Sequence, residues 1–97
     1  MAGGIRVDEP AVDLGIIMAL ASSFRNRPLD PRMVVFGEVG LTGEVRAISQ
    51  AERRVKEASK MGFSRCLLPK NNVTQLSSDS NLECIGVDSI EKALDFL

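Results

Sequence analysis

Two glutamates in the segment GEVGLTGEVR, residues 37–46, are the first side chains in this sequence that could do chemistry. The tripeptide Gly-Glu-Val occurs twice, which puts Glu38 and Glu44 six residues apart around Gly40. A pair of carboxylates could hold a metal ion or act on a glycosidic bond. Because the chain has no histidine, and no cysteine or third acid stands close by, a β-hairpin with a glycine-containing turn is the simpler interpretation.

The two cysteines are the other reactive side chains. Cys66 and Cys84 each lie in a short apolar run, RCLLP and LECIGV, and no C-x2-C pair is present. We therefore expect no zinc held by this chain alone, and the lack of histidine excludes acid–base catalysis by that residue. Both cysteines are predicted to be reduced and buried in strands.

The composition indicates one globular domain. The 97 residues are 44% hydrophobic, and the net charge of −1 comes from interspersed acidic and basic residues. No strong field of the whole domain would then attract nucleic acid or an anionic membrane, so any DNA contact must come from a local patch. The start of the chain lacks the apolar core of a signal peptide, and the apolar run around 14–21 is too short to span a bilayer. We expect a cytoplasmic protein.

The elements that must position these residues begin with a short strand at Ile5–Val7. Asp8, Glu9 and Pro10 then predict the start of a helix that runs to Asn26, with Pro28 beyond its end. This helix is apolar on nearly every face, which is typical of a helix buried on several sides. The alternation that follows predicts a hairpin, residues 33–39 paired with residues 44–48.

The second half of the chain continues the alternation of helix and strand. Ser49 and Glu52 form a capping-box pattern at the start of a helix over 50–61, which Gly62 would end in the left-handed conformation. Asp88 and Glu91 form a second such pattern before the last helix, residues 89–97. Between these helices the sequence predicts a strand at 65–68, an irregular segment at 70–81 and a strand at 82–87. The predicted fold class is α/β, with helices packed on a small mixed sheet.

The run FGEVGLTGEVRAISQAERRVKEASKMGFSRCLLPK closely resembles the C-terminal domain of the RadA (Sms) family of bacterial DNA-repair ATPases. That domain is similar to the proteolytic domain of Lon, and the resemblance extends from AGGIRVDEPAVDLG to IGVDSIEKAL. The magnesium-chelatase relatives of the ComM type have a similar module but fit the hairpin less well. The resemblance implies a Lon-like fold of the ribosomal-protein βαβ type, present here as a single partial domain, residues 1–97, without its opening strands and first helix.

Lon-type proteases use a serine in a G-P-S-A-G motif and a lysine in a K-E-K motif. Laid on this chain, the motif proline corresponds to Pro10, the serine position to Ala11 and the lysine position to Arg54, while Glu38 matches the glutamate of the family's T-G-E hairpin. A methyl group cannot attack a carbonyl, and an arginine is not deprotonated at any workable pH. The resemblance therefore implies a domain without a catalytic residue.

Neighbouring side chains are not expected to replace the lost pair. Ser22 and Ser23 lie farther along the helix, and Lys56 is predicted to point elsewhere. Arg54 instead suits an ion pair with Glu9 or Asp13. A protease with an unrecognised active centre remains the alternative, and a small-molecule module that uses the turn at 40–43 is a third hypothesis.

A basic stripe on the predicted helix over 50–61 is the candidate DNA-contact surface. Arg53, Lys56 and Lys60 recur at helical spacing, and Arg46 precedes the helix. The ordinary interpretation is a solvated face of mixed charge, with Glu52 and Glu57 between the cations. The alternative is contact with DNA phosphates, which would be independent of sequence.

The resemblance also implies partners and cofactors. Members of the RadA family are hexameric, RecA-like motors, in which the Lon-like domain supports oligomerisation and contributes to DNA binding; a RecA-type recombinase is a further partner it allows. This sequence has no G-x-x-x-x-G-K-S/T motif, so ATP, magnesium and zinc are expected only in N-terminal parts of such a protein. We expect no cofactor and no membrane partner for this chain. We also expect self-association through a strand edge at 3–7 or through the uncovered side of the first long helix.

Overall fold

A three-stranded parallel sheet forms the centre of the computed structural model, which describes residues 9–76 and 81–97. The strands are β1 (Met33–Val35), β2 (Glu38–Val39), β3 (Val45–Arg46), β4 (Arg65–Pro69) and β5 (Glu83–Val87), and the helices are α1 (Asp13–Arg25), α2 (Ala51–Lys60), α3 (Lys70–Val73) and α4 (Ile90–Leu94). The strand order in the sheet is β1-β4-β5, with Val34 opposite Cys66 and Cys66 opposite Cys84. A separate antiparallel pair is formed by β2 and β3.

The α/β class, with helices packed on a small sheet, is confirmed, but the long hairpin is wrong in extent, and the three described strands of the central sheet all run parallel. β1 pairs in parallel with β4, and only β2 and β3 form the hairpin. The chain leaves the sheet after β1 because the amide and carbonyl of Gly37 bond to the start of the first long helix instead of to a strand. Alternation along 33–39 could not distinguish two short strands with different partners from one long strand.

Side-chain alternation in β4 divides the core into two layers. Leu67 points to one face of the sheet, where it packs with α1 and α4, while Cys66 and Leu68 point to the other face, where they pack with α2. All three side chains are fully buried, as expected for the central strand of a parallel sheet. The central strand therefore supplies side chains to both layers.

The cysteines lie side by side on β4 and β5 and both are free thiols. Cys66 is buried as expected, whereas Cys84 is only half-buried. Burial raises the pKa of the Cys66 thiol to about 12, so it stays a neutral thiol at physiological pH. A neutral buried thiol is a poor nucleophile, and the pair serves as core packing.

The first long helix begins with a 3₁₀ turn, Pro10–Val12, continues as α1, and ends at Asn26 in the left-handed conformation. The predicted range of this helix is thus confirmed, but the prediction that it is buried on several sides is wrong. Ala11, Leu14 and Met18 are buried, whereas the opposite face is open to solvent. The predicted strand at Ile5–Val7 and the residue Asp8 lie outside the described residues.

Two predicted capping positions are displaced by one residue. α2 begins after Gln50, in the left-handed conformation, and not after Ser49. α4 is capped by Ser89, whose hydroxyl accepts the amide of Lys92, while Asp88 forms an ion pair with the Lys92 side chain at 3.0 Å. Gly62 follows α2 with a φ of 96°, as predicted.

The segment after β4 also differs from its prediction. Residues 70–73 form the short helix α3, not irregular chain, while residues 77–80 lie outside the described residues. α3 carries Asn72, the one buried polar side chain among the described residues. Its amide nitrogen donates to the Ile48 carbonyl at 3.1 Å, and its oxygen accepts the Ile48 amide at 2.8 Å. This bidentate contact fixes the chain between β3 and α2.

Replacement of Asn72 by alanine is expected to lower the free energy of unfolding by about 2–4 kcal/mol, because both backbone groups of Ile48 would lose their partner while buried. Urea unfolding followed by circular dichroism measures the change. Asn71→Ala, one residue away on the exposed side of α3, is the matched control and should change stability by less than about 0.5 kcal/mol. Equal effects of the two substitutions would contradict the role given to Asn72.

Candidate functional site

Four residues that the Lon pattern singles out lie around one cavity. Pro10 and Ala11 come from the 3₁₀ turn, Glu38 from β2 and Arg54 from α2, and all four line a cavity of about 330 Å³. The other described residues that line it are Glu9, Ala47, Ile48 and Ser49. The structure therefore brings together positions that are 43 residues apart in the chain, as a Lon-like arrangement requires.

Backbone hydrogen bonds at Gly37 set two walls of this cavity. The Gly37 amide donates to the Ala11 carbonyl at 2.9 Å, and the Leu14 amide donates to the Gly37 carbonyl at 3.0 Å. Asp13 adds a further link, because its carboxylate accepts the Val39 amide at 3.3 Å. The helix start and β2 are thus held against each other through backbone groups.

Arg54 has three neighbours that hold its guanidinium group in place. Its Nη2 lies 2.7 Å from a carboxylate oxygen of Glu9, and its Nε donates to the Ser49 carbonyl at 3.2 Å. The guanidinium carbon lies 5.9 Å from the centre of the Phe36 ring, within the range of a cation–π contact. Of the two acidic partners that the sequence suggested, Glu9 is the one that pairs with Arg54.

One lining residue of the cavity is a serine that the Lon pattern does not point to. Ser49 lines it together with Ala11 and Arg54. No lysine is among the described residues that line the cavity, and a protonated guanidinium cannot remove a proton from a hydroxyl. Carboxylates are much weaker bases than a neutral amine. In the sequence Ser49 belongs only to a capping-box pattern with Glu52, which predicts a helix start, so its place in this cavity is known only from the fold.

The serines considered in sequence lie outside this cavity. Ser22 donates its hydroxyl to the Arg27 carbonyl at the end of α1, and Ser23 is exposed on the same helix. Lys56 is an exposed residue of α2 and does not line the cavity. None of these residues supplies a nucleophile or a base beside Ala11.

The glycine turn at 40–43 is filled by a side chain of the hairpin itself. The carboxylate of Glu44 accepts the amide and the hydroxyl of Thr42 and pairs with Arg46 at 2.8 Å. A methyl group added at Gly40 would lie 2.1 Å from this carboxylate, so the carboxylate packs directly against the backbone of Gly40. The carboxylate of Glu44 is thus bonded within the turn itself.

The four DNA-contact candidates divide between two elements. Arg53, Lys56 and Lys60 are exposed residues of α2, and Arg53 pairs with Glu57 at 3.4 Å. Arg46 lies on β3, where it pairs with Glu44 and reaches to 3.8 Å from Glu38. In the described part of the chain, no group of three or more His, Cys, Asp or Glu residues is arranged to hold a metal ion. No helix there is long and apolar enough to cross a membrane.

Comparison with known proteins matches residues 1–96 to the family model of the Lon protease (S16) C-terminal proteolytic domain. The chain is 50% identical over 95 residues to the DNA repair protein RadA of Halalkalibacterium halodurans, covering 98% of this chain and 21% of that protein. It is 49% identical over 94 residues to the protein of the same name from Bacillus subtilis, and this match covers 97% of this chain and 20% of that protein. It is 42% identical over 93 residues to the DNA repair protein RadA of Streptococcus pneumoniae, and this match covers 96% of this chain and 22% of that protein. The chain thus spans about a fifth of the length of these curated relatives.

The hydrogen bond from Thr42, together with the other donors around Glu44, holds the pKa of the Glu44 carboxyl at about 2. Because this pKa is depressed, the ionised Glu44 carboxylate stabilises the hairpin fully when the pH is above 4.5, the ordinary pKa of a glutamate side chain. The stabilisation is lost as the pH falls from 4.5 to about 2. Carboxyl-carbon NMR titration should give a Glu44 midpoint near 2. Thr42→Val should move this midpoint upwards, and the control Thr42→Ser, which keeps the hydroxyl, should not. A native midpoint near 4.5 would contradict the contact.

Proposed function

The chain belongs to the Lon protease C-terminal proteolytic domain family, and from that membership we propose that it is a non-catalytic, Lon-like scaffold domain of a RadA-type DNA-repair ATPase. The identity of 50% to a protein named DNA repair protein RadA, over 98% of this chain, supports the assignment. Such a protein would work in the cytoplasm in recombinational repair and branch migration. It would bind ATP, magnesium and zinc in other parts of the polypeptide.

The observation that carries the non-catalytic role is the chemistry of the cavity beside Ala11 and Arg54. Acyl transfer needs a nucleophile and a neutral base within hydrogen-bond reach of each other. At the first position the cavity has a methyl group, and at the second it has a guanidinium already paired with Glu9. We infer that the domain keeps the shape of a Lon active site for its packing and not for proteolysis.

Ser49 is the specific feature that favours the alternative, a protease with an unrecognised active centre, because this serine is among the residues that line the same cavity. A peptide-hydrolysis assay with unmodified protein, Ala11→Ser/Arg54→Lys and Ser49→Ala distinguishes the two functions. We expect no hydrolysis by the unmodified protein above the buffer rate, since no neutral amine lies beside the hydroxyl. Hydrolysis by the unmodified protein that Ser49→Ala abolishes would establish the alternative and overturn the scaffold assignment.

We propose that the basic stripe of α2 contributes contacts to DNA phosphates in this scaffold. Arg53, Lys56 and Lys60 are exposed on one helix, and phosphate contact needs only accessible cations, not a specific base-reading geometry. Arg53 is already paired with Glu57 at 3.4 Å, in an ion pair of two largely exposed side chains. Such an exposed pair contributes little and can exchange its carboxylate for a phosphate. Arg46 is a weaker candidate, since Glu44 and Glu38 both flank it.

Replacing Arg53, Lys56 and Lys60 together by glutamate should weaken DNA binding by the RadA-type protein that carries this domain. The slope of log affinity against log salt should become less steep by up to about 3, because up to three phosphate contacts are lost at about 0.9 each. Fluorescence anisotropy at several salt concentrations measures the slope. The triple control Arg27, Arg32 and Lys70 to glutamate makes the same charge change at exposed residues elsewhere. An unchanged slope in the α2 variant, or equal changes in both, would remove the DNA role from this face.

A further inference from the structure

The cavity beside Ala11 has one more acidic residue than it has basic residues. Among the described residues that line it, the charged ones are Glu9, Glu38 and Arg54. The Arg54 guanidinium is balanced by Glu9, since the two groups lie 2.7 Å apart. Glu38 is therefore the lining residue whose charge no other described residue of the cavity balances.

The neighbouring strand does not satisfy Glu38 either. Within the described part of the chain, Arg46 is the one basic residue that comes within 4 Å of the Glu38 carboxylate, and at 3.8 Å it is beyond the reach of a hydrogen bond. Arg46 donates instead to Glu44, through Nε at 3.2 Å and Nη2 at 2.8 Å. The Glu38 side chain is 34% exposed, so its carboxylate oxygens can accept hydrogen bonds from a ligand.

Aliphatic residues line the same cavity next to this carboxylate. They are Pro10, Ala11, Ala47 and Ile48. The volume of about 330 Å³ is at the lower end of small-molecule sites. A hydrocarbon chain can lie along such walls while the charged group at its end stays in a polar position, as the stem of a lysine side chain does on apolar surfaces.

The partners of Arg54 make an anionic ligand a poor fit. The guanidinium already bonds to the Glu9 carboxylate and the Ser49 carbonyl, and it lies 5.9 Å from the centre of the Phe36 ring. An anion would have to replace these contacts, whereas a cation at Glu38 disturbs none of them.

Among cations, the lining favours a primary ammonium group. Magnesium and calcium ions need several oxygen ligands, and only the Glu38 carboxylate has its charge unbalanced by the other described lining residues. Quaternary ammonium groups are bound by aromatic cages, and no aromatic residue is among the described residues that line the cavity. A primary ammonium is a compact charge with three donors, which a single carboxylate can accept.

We propose that this cavity binds a primary alkylammonium group, whose head pairs with Glu38 and whose hydrocarbon stem lies against Ala11, Ala47 and Ile48. Two sources carry this chemistry: the lysine side chain of a polypeptide and a free diamine. One charge pair open to solvent contributes little, so the dissociation constant is expected to be about 1 to 10 mM. A ligand for the cavity goes beyond the scaffold function and does not rest on it.

A ¹H–¹⁵N NMR titration of the 97-residue chain with n-butylammonium chloride tests the proposal. The amide signals of Ala11, Ala47 and Ile48 should shift and saturate. Sodium chloride and n-butanol at the same concentrations should give no saturating shift, because the first lacks the stem and the second lacks the charge. Glu38→Gln should weaken binding about tenfold, since the variant keeps the shape of the side chain and loses its charge. Glu91→Gln removes an exposed carboxylate of α4 and is the matched control, with unchanged affinity.

A second variant tests the place of the hydrocarbon stem. Ala47 lines the cavity and is exposed, so a larger side chain there fills space without entering the core. Ala47→Leu should weaken butylammonium binding although Glu38 is retained. The dispersion of the NMR signals establishes that each variant is folded.

Titrations with 1,4-diaminobutane and with the peptide acetyl-Gly-Lys-Gly-amide distinguish the two sources. Tighter binding of the peptide would assign the site to a lysine of a polypeptide, and tighter binding of the diamine would assign it to a free amine. The proposal is overturned by saturating shifts with sodium chloride or n-butanol, by an unchanged affinity in Glu38→Gln or Ala47→Leu, or by an equal loss in Glu91→Gln. None of these results bears on the peptidase or DNA-binding outcomes on which the scaffold assignment depends.

Discussion

The arrangement of this domain depends on a close backbone contact at Gly37. The chain turns from the parallel sheet into the small antiparallel pair at Gly37, which bonds to both the 3₁₀ turn and α1. A methyl group at Gly37 would lie 3.1 Å from the Leu14 side chain and 3.2 Å from that of Val45, tighter than ordinary contact. A larger residue would push these two side chains away by a few tenths of an ångström, so glycine favours the close approach of the helix. Ala11 and Glu38, which flank the contact in space, are positioned by it.

The shape of the cavity does not depend on the side chains that a protease would use for catalysis. Its walls are held by backbone hydrogen bonds and by the Asn72 amide, which binds both backbone groups of Ile48. None of these interactions needs a serine at position 11 or a lysine at position 54. Arginine at position 54 adds contacts that a lysine would not reproduce, because a planar guanidinium can bond a carboxylate and a carbonyl while its face lies on an aromatic ring. A residue unsuited to catalysis thus becomes a clamp between α2 and the start of the first helix.

Local signals in the sequence were sufficient for part of this structure. The range of the first helix, the left-handed Gly62 and the strands around Cys66 and Cys84 follow from patterns within a few residues. The extent of the hairpin does not, because parallel pairing of β1 with β4 is decided by residues more than thirty positions away. Ala11 and Arg54 were found through resemblance to a family, whereas Asn72 has no local signature and the capping-box pattern of Ser49 says nothing about a cavity. Their importance comes from where the fold places them.

α1 shows why an apolar pattern predicts burial but not the partner that provides it. A helix with apolar residues all round is expected to be covered on every side. Here the sheet covers only the side of Leu14 and Met18, while Leu20 and Phe24 face solvent. The free energy that favours covering an apolar side chain is the same whether the cover comes from the same chain or from another copy. The apolar pattern therefore predicted more burial than the described residues show, because α1 has one face packed in the core and one face that is open to solvent.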